Sequence, residues 1–221
     1  DEQRKESAEK GWQNFLYMKE KGFSNSVHIF HQGEDYSWLT KMIDYGCDYI
    51  GISPSNDKTD DQKLIWLDSA FRLIMKSSNP NIKTHAFGVT SSKLLFRYPW
   101  YSADSSSYSL TAAMGSILTP YGRIFVSDQN LADQDHIYNK PEAVRQHIDN
   151  YLKERIGYDL NSMISRKQYK KHICQNCKHE SEIEISSQAY KSRNYANIAY
   201  LLDLEKKVNE KGPTMNYMNQ E

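Results

Sequence analysis

The chain has 221 residues, enough for one large domain or one and a half ordinary ones. Its 28 basic and 28 acidic side chains balance, so no global basic excess advertises nucleic acid, and any such surface has to be a local patch. Sixteen tyrosines and four tryptophans argue against disorder, three cysteines argue against a disulfide scaffold, and no apolar run approaches the ~20 residues of a membrane span.

The opening, DEQRKESAEKGW, is charged from its first residue, unlike a secretory leader. A cytoplasmic setting is expected, the host cytoplasm in the case of a viral gene. An amphipathic helix is predicted over 6–22 (ESAEKGWQNFLYMKEKG). Strand-length apolar runs then recur at 26–33 (SVHIFHQG), 47–55 (CDYIGISPS), 83–90 (KTHAFGVT) and 100–105 (WYSADS). Their scarcity of charge predicts strands buried on both faces of a parallel sheet. Helical patterns lie between them. YSWLTKMIDYG predicts a short helix ending at Gly46. In DDQKLIWLDSAFRLIMKS, Leu64, Leu67, Phe71, Ile74 and Met75 share one face, with Asp60 or Asp61 as the expected cap. Beyond residue 105 the pattern changes. YGRIFVSDQ reads as a strand after a turn at Gly122, and PEAVRQHIDNYLKERIG as a helix with Pro141 in its first turn. SRKQYKKHICQNCKH is a basic segment carrying a Cys-x-x-Cys pair, and a final helix is predicted over 186–210.

This β-α alternation predicts an α/β fold, either a doubly wound sheet or a (β/α)8 barrel. Both collect ligands at the carboxyl ends of their strands, where this chain has Gln32, Ser53, Thr90 and Asp104. Taken singly, these features have bland readings. A lone aspartate at a strand end is more often a helix cap than a catalyst. His28, His31 and His85 each read first as structural histidines. Cys174 and Cys177 have the spacing of half a zinc site, with His172 and His179 flanking them. Arg166, Lys167, Lys170, Lys171 and Lys178 form either a solvated face or a phosphate-binding patch.

In order, however, HQGEDYSWLTKMIDYGCDYIGIS, HAFGVT, ADSSSYSLTAAMGSILTPYGR and HICQNC resemble the tRNA-guanine transglycosylase superfamily from about Val27 onward. The resemblance implies the C-terminal half of a (β/α)8 barrel over 1–160, then a zinc-site-like segment and C-terminal helix over 161–221. It implies that Asp104 is the nucleophile in the exchange of guanine for a 7-deazaguanine base in tRNA or DNA. Gln32 would hydrogen-bond the base, the backbone around Gly51 and Ile52 would touch it, and Phe87, next to Gly88, would pack on its face. A structural zinc would take His172, Cys174, Cys177 and His179. The family's first cysteine is His172 here, and its helical histidine position carries Ala196. The family's acid/base aspartate would lie in a preceding half, and Asp57 is the only substitute nearby. The chain is therefore expected to be part of a longer protein, inactive alone, with a homodimer among the expected assemblies and no membrane partner. The rival readings are another barrel glycosidase using Asp104 as one of two carboxylates, and a non-catalytic nucleic-acid-binding protein on a degenerate barrel.

Overall fold

The computed structural model describes residues 2–164, 168–185 and 189–215. Among them no helix is long and apolar enough to cross a membrane. The chain forms two compact units, Asp1–Ser105 with Lys207–Glu221, and Ser106–Lys206. The boundary expected near residue 160 lies inside the second.

The first unit opens with α1 (Glu2–Glu20), then alternates β1 (His28–His31), α2 (Tyr36–Asp44), β2 (Tyr49–Ser53), α3 (Asp60–Met75), β3 (Lys83–Ala86), α4 (Ser92–Leu95) and β4 (Ser102–Ala103). The four strands form one parallel sheet in the order β1-β2-β3-β4. Helix α2 starts where Asp35 accepts from the Ser37 amide. Helix α3 starts one residue earlier than its acidic pair suggested. Thr59 Oγ1 accepts from the Gln62 amide at 3.3 Å and Gln62 Oε1 from the Thr59 amide at 3.1 Å, a reciprocal capping box. Asp60 and Asp61 instead fill the first turn, where their charge suits the helix dipole, and accept from Ser91 and Lys93.

The strands differ from expectation in one respect: within this unit only one face is fully buried. Phe30, Ile50, Ile52, Thr84 and Ala86 are 0–1% exposed. The apolar members pack with Leu39, Met42, Leu67, Ala70, Phe71 and Ile74 from α2 and α3. The alternating residues Ile29, Tyr49, Ser53, His85 and Phe87 are half-buried, and His31 and Lys83 are exposed. Below the sheet, Asp68 accepts two bonds from Arg97 and one from the Tyr98 hydroxyl. Burial opposes its charge, but Arg97 and Tyr98 outweigh burial and hold the carboxyl below the usual range.

The second unit contains α5 (Ser107–Ala113), the antiparallel hairpin β5 (Ser116–Thr119) and β6 (Gly122–Phe125), α6 (Glu142–Ile156), a second hairpin β7 (Gln168–Ile173) and β8 (Glu180–Ile185), and α7 (Ala189–Lys211), whose last turn belongs to the first unit. Ile117, Ile124, Val126, Ile137, Ile148, Leu152, Met163 and Ala196 form its core. Helix α7 is tied in by polar side chains. Buried Asn197 accepts from the Leu118 amide and donates to the Tyr108 carbonyl, and buried Arg193 donates to the carbonyls of Ala112 and Met163.

Candidate active site at the carboxyl edge of the sheet

Register decides which side chains share the less buried face. Ile29 pairs with Gly51, Gly51 with His85, and His85 with Ser102. Two-residue alternation extends that row to Tyr49, Phe87 and Asp104. Asp104 directly follows β4, and its backbone N–H donates to the Ala86 carbonyl at 3.1 Å. It therefore stands at the carboxyl end of a parallel strand, as the sequence predicted. Gln32 follows β1 in the same way, donating its N–H to the Ser53 carbonyl, and Phe87 follows β3, donating to the Ile52 carbonyl.

Among the described residues, two polar groups approach the Asp104 carboxylate, both at one oxygen. The Gly88 N–H donates to Oδ1 at 3.2 Å, and His85 Nε2 lies 3.4 Å from the same atom. Gly88 has φ +67°, a left-handed turn that suits glycine and brings its N–H toward the carboxylate. The Asp104 side chain is 60% exposed, whereas that of His85 is 17% exposed. Behind His85 the polar row continues. His85 Nδ1 and the Tyr49 hydroxyl each lie 2.6 Å from Ser102 Oγ. Aromatic rings frame the row: Phe87 meets His85 edge-on at 4.3 Å, and Tyr49 meets Tyr101 at 5.6 Å.

Phe87 lies over Gly51. A Cβ at residue 51 would sit 2.5 Å from Phe87 Cε2 and 3.0 Å from Ile29 Cγ1, so this close approach requires glycine. Gln32 Oε1 accepts from the Ser55 amide at 2.9 Å, which leaves its NH2 group as the part able to meet a ligand. The Ile52 side chain is in the helix-facing core, so only its backbone is on offer. Asp57 is held down to about 2, first by its bond from Lys58 and then by that from Ser55. It is therefore ionised at neutral pH.

The cysteine pair sits on the turn joining β7 and β8. The Cys174 N–H donates to the His179 carbonyl at 3.0 Å and the Lys178 N–H to the Cys174 carbonyl at 2.9 Å, with Lys178 at φ 58°. The Cys174 thiol is pushed down by the Cys177 N–H, the Cys177 side chain and the Asn176 N–H. Those donors suit a thiolate. Among the described residues, no three His, Cys, Asp or Glu side chains gather as a metal set. His179 is exposed, while the His172 side chain, like Arg166, Lys167 and the Lys170 side chain, lies outside the described ones. Ala196 is buried in the second unit's core. The described donors are thus two thiols, short of a structural zinc's four.

Two surface grooves lie elsewhere on the first unit. One is lined by residues including Trp12, Lys41 and Tyr45, the other by Lys5, Glu34 and Trp38; neither contains Asp104 or its partners. Sequence reasoning missed His85, Ser102 and Tyr49 as partners of one site. Strand alternation was the available signal, since it puts His85 and Phe87 on one face of their strand and Ser102 and Asp104 on one face of the next. Compared with known proteins, the chain matches no family model, no curated protein and no solved structure.

Proposed function

We propose that this chain carries the nucleophile of a base-exchange transglycosylase that replaces guanine with a 7-deazaguanine in tRNA or DNA, and that its sheet is the C-terminal half of a (β/α)8 barrel. The strand order supports the barrel reading, because a doubly wound sheet reverses its order at a switch point and this one runs β1-β2-β3-β4. The observation that carries the function is the Asp104 carboxylate, exposed at the carboxyl edge with Oδ1 held by the Gly88 N–H.

In this reading Asp104 attacks C1′ of the target nucleotide. The C1′–N bond breaks, its electron pair leaves with guanine, and an aspartyl-glycosyl ester remains. The incoming base then displaces Asp104 from C1′, so two inversions give net retention. A close negative charge suits the oxocarbenium-like transition state. The target nucleotide has to leave its stack to reach the edge, where Phe87 offers a ring face and Gln32 an amide. Gly51, Ile52 and Gly88 contribute backbone. Guanine takes up a proton as it leaves and the incoming base gives one up, so the exchange needs a general acid and then a general base. The cysteine hairpin would contribute two thiolates to a structural zinc, and no chemical step passes through it.

The test is exchange of labelled guanine into tRNA and into DNA by the gene-length protein. Incorporation into one of the two is expected, with a covalent protein–nucleic acid adduct that Asp104→Asn abolishes while leaving the fold intact. An Asp104→Asn protein that still forms the adduct would remove Asp104 from this role. Nucleic acid bound with neither exchange nor adduct would favour the non-catalytic reading.

A further inference from the structure

We propose that Tyr49, Ser102 and His85 form a hydrogen-bonded chain that holds Oδ1 of Asp104 and leaves Oδ2 as the attacking oxygen; the catalytic part of this inference rests on Asp104 being the nucleophile of the base exchange. His85 is a positioning residue here, acting through Asp104.

Ser102 Oγ carries one hydrogen and lies 2.6 Å from both Tyr49 Oη and His85 Nδ1. With the imidazole neutral, one arrangement satisfies both bonds and the carboxylate. Tyr49 donates to Ser102, Ser102 donates to His85 Nδ1, and the ring's own proton is on Nε2. With the imidazole charged, the chain reverses: Nδ1–H donates to Ser102 and Ser102 donates to Tyr49. Nε2 again carries a proton. The remaining neutral form, with its proton on Nδ1, would turn the Nε2 lone pair toward an ionised carboxylate 3.4 Å away. Both satisfied arrangements therefore present an N–H to Oδ1, and neither requires Asp104 to move.

The Gly88 N–H reaches the same oxygen. With the Gly88 N–H on Oδ1 and His85 Nε2 3.4 Å from it, both groups approach one oxygen, and among the described residues no donor reaches Oδ2. As the Oδ2–C1′ bond forms, Oδ1 becomes the ester carbonyl oxygen and keeps both donors. When the second base displaces the ester, the C1′–Oδ2 bond breaks and its electron pair returns to the carboxylate. The donors stabilise that returning charge, so their loss slows release of Asp104 as well as its attack.

The test combines nitrogen-15 NMR of the His85 ring in the substrate-free gene-length protein with single-turnover guanine exchange. The neutral ring is expected to carry its proton on Nε2, and Asp104→Ala, which removes the carboxylate that selects this form, should give a mixture of tautomers. His85→Phe should slow exchange roughly 10- to 100-fold, chiefly in kcat, the scale expected for one hydrogen bond to a charged group. His85→Gln, which keeps an N–H in that position, should recover most of the rate. A neutral ring protonated on Nδ1, or wild-type exchange by His85→Phe, would overturn the inference. If the wild-type protein exchanges no base while its ring carries the Nε2 proton, the base-exchange reading fails and the hydrogen-bonded chain stands without its catalytic role.

Discussion

The two faces of the four-stranded sheet are made from the same short strands and do opposite work. On the helix side, Phe30, Ile50, Ile52 and Ala86 are removed from water and meet only apolar partners, with the Phe30 ring stacked on Trp66. On the other side the same strands offer Tyr49, Gly51, His85, Ser102 and, at the edge, Asp104, linked by hydrogen bonds and edge-on rings. The first face stabilises because dispersion and the hydrophobic effect need no direction. The bonds of the second face have direction, which is what the role proposed for Asp104 requires. A period of two thus lets one strand serve the core and the site with alternate residues.

That contrast breaks if the faces respond alike to truncation. Phe30→Ala, at a fully buried position, should cost about 3–5 kcal/mol. Phe87→Ala, half-buried on the site face, should cost under about 2 kcal/mol. Equal losses in urea unfolding would show that the second face is also a core. A finer probe is Gly51→Ala, whose new methyl meets the Phe87 ring and Ile29; about 1–3 kcal/mol of destabilisation is expected. Adding Phe87→Ala should recover most of that, and additive losses would place the strain elsewhere.

The smallest expected effect is a pH slope from the helix face. His28 alternates with Phe30 and lies against Trp12 and Phe15. Burial, then the charges of His31 and Lys41, push it down from an ordinary 6.5 to about 4. Between those values the unfolded chain binds a proton that the folded chain does not, so stability rises with pH and falls on acidification from 6.5 toward 4. His28→Phe should flatten this part of a stability-versus-pH curve. An unchanged slope would mean that other groups set it.

Much of the first unit was legible in the sequence because apolar runs of strand length alternate with helical periods, and those patterns are local. All four strands, and helices α2 and α3, fall within the predicted stretches, while α1 begins at Glu2, four residues before the predicted start. Other features were not legible, among them helices α4 and α5 and the strands β7 and β8. Thr59 out-competes Asp60 as a cap because Gln62 answers it three residues on. The strands looked buried on both faces because HIFH and YIGIS contain few charges, although apart from Ile29 their alternate residues are polar, aromatic or glycine. Strand β5 was not foreseen, because SILT follows a helix too short to punctuate it. At the candidate site, the strand-end position of Asp104 was legible in the sequence. Its partners were not, because Tyr49, His85 and Ser102 come from three strands and only register brings them together. On the cysteine hairpin, the pair was legible from its spacing, and the amide donors that suit a thiolate come from turn geometry that spacing alone does not contain.

The brevity of β4 has a consequence for how Asp104 keeps its place. A strand of two residues at the edge of a sheet has little ladder to hold it, and such segments open at low free energy. What retains the end of β4 includes the Asp104 N–H on Ala86, the Asp104 side chain on Gly88, and Ser102 between Tyr49 and His85. The bonds that orient the carboxylate are thus also clasps on the edge. Amide hydrogen exchange at residues 102–104 should therefore quicken in His85→Phe and Ser102→Ala while the amides of β2 remain protected, so that loosening of the site is visible as fraying of the strand beneath it.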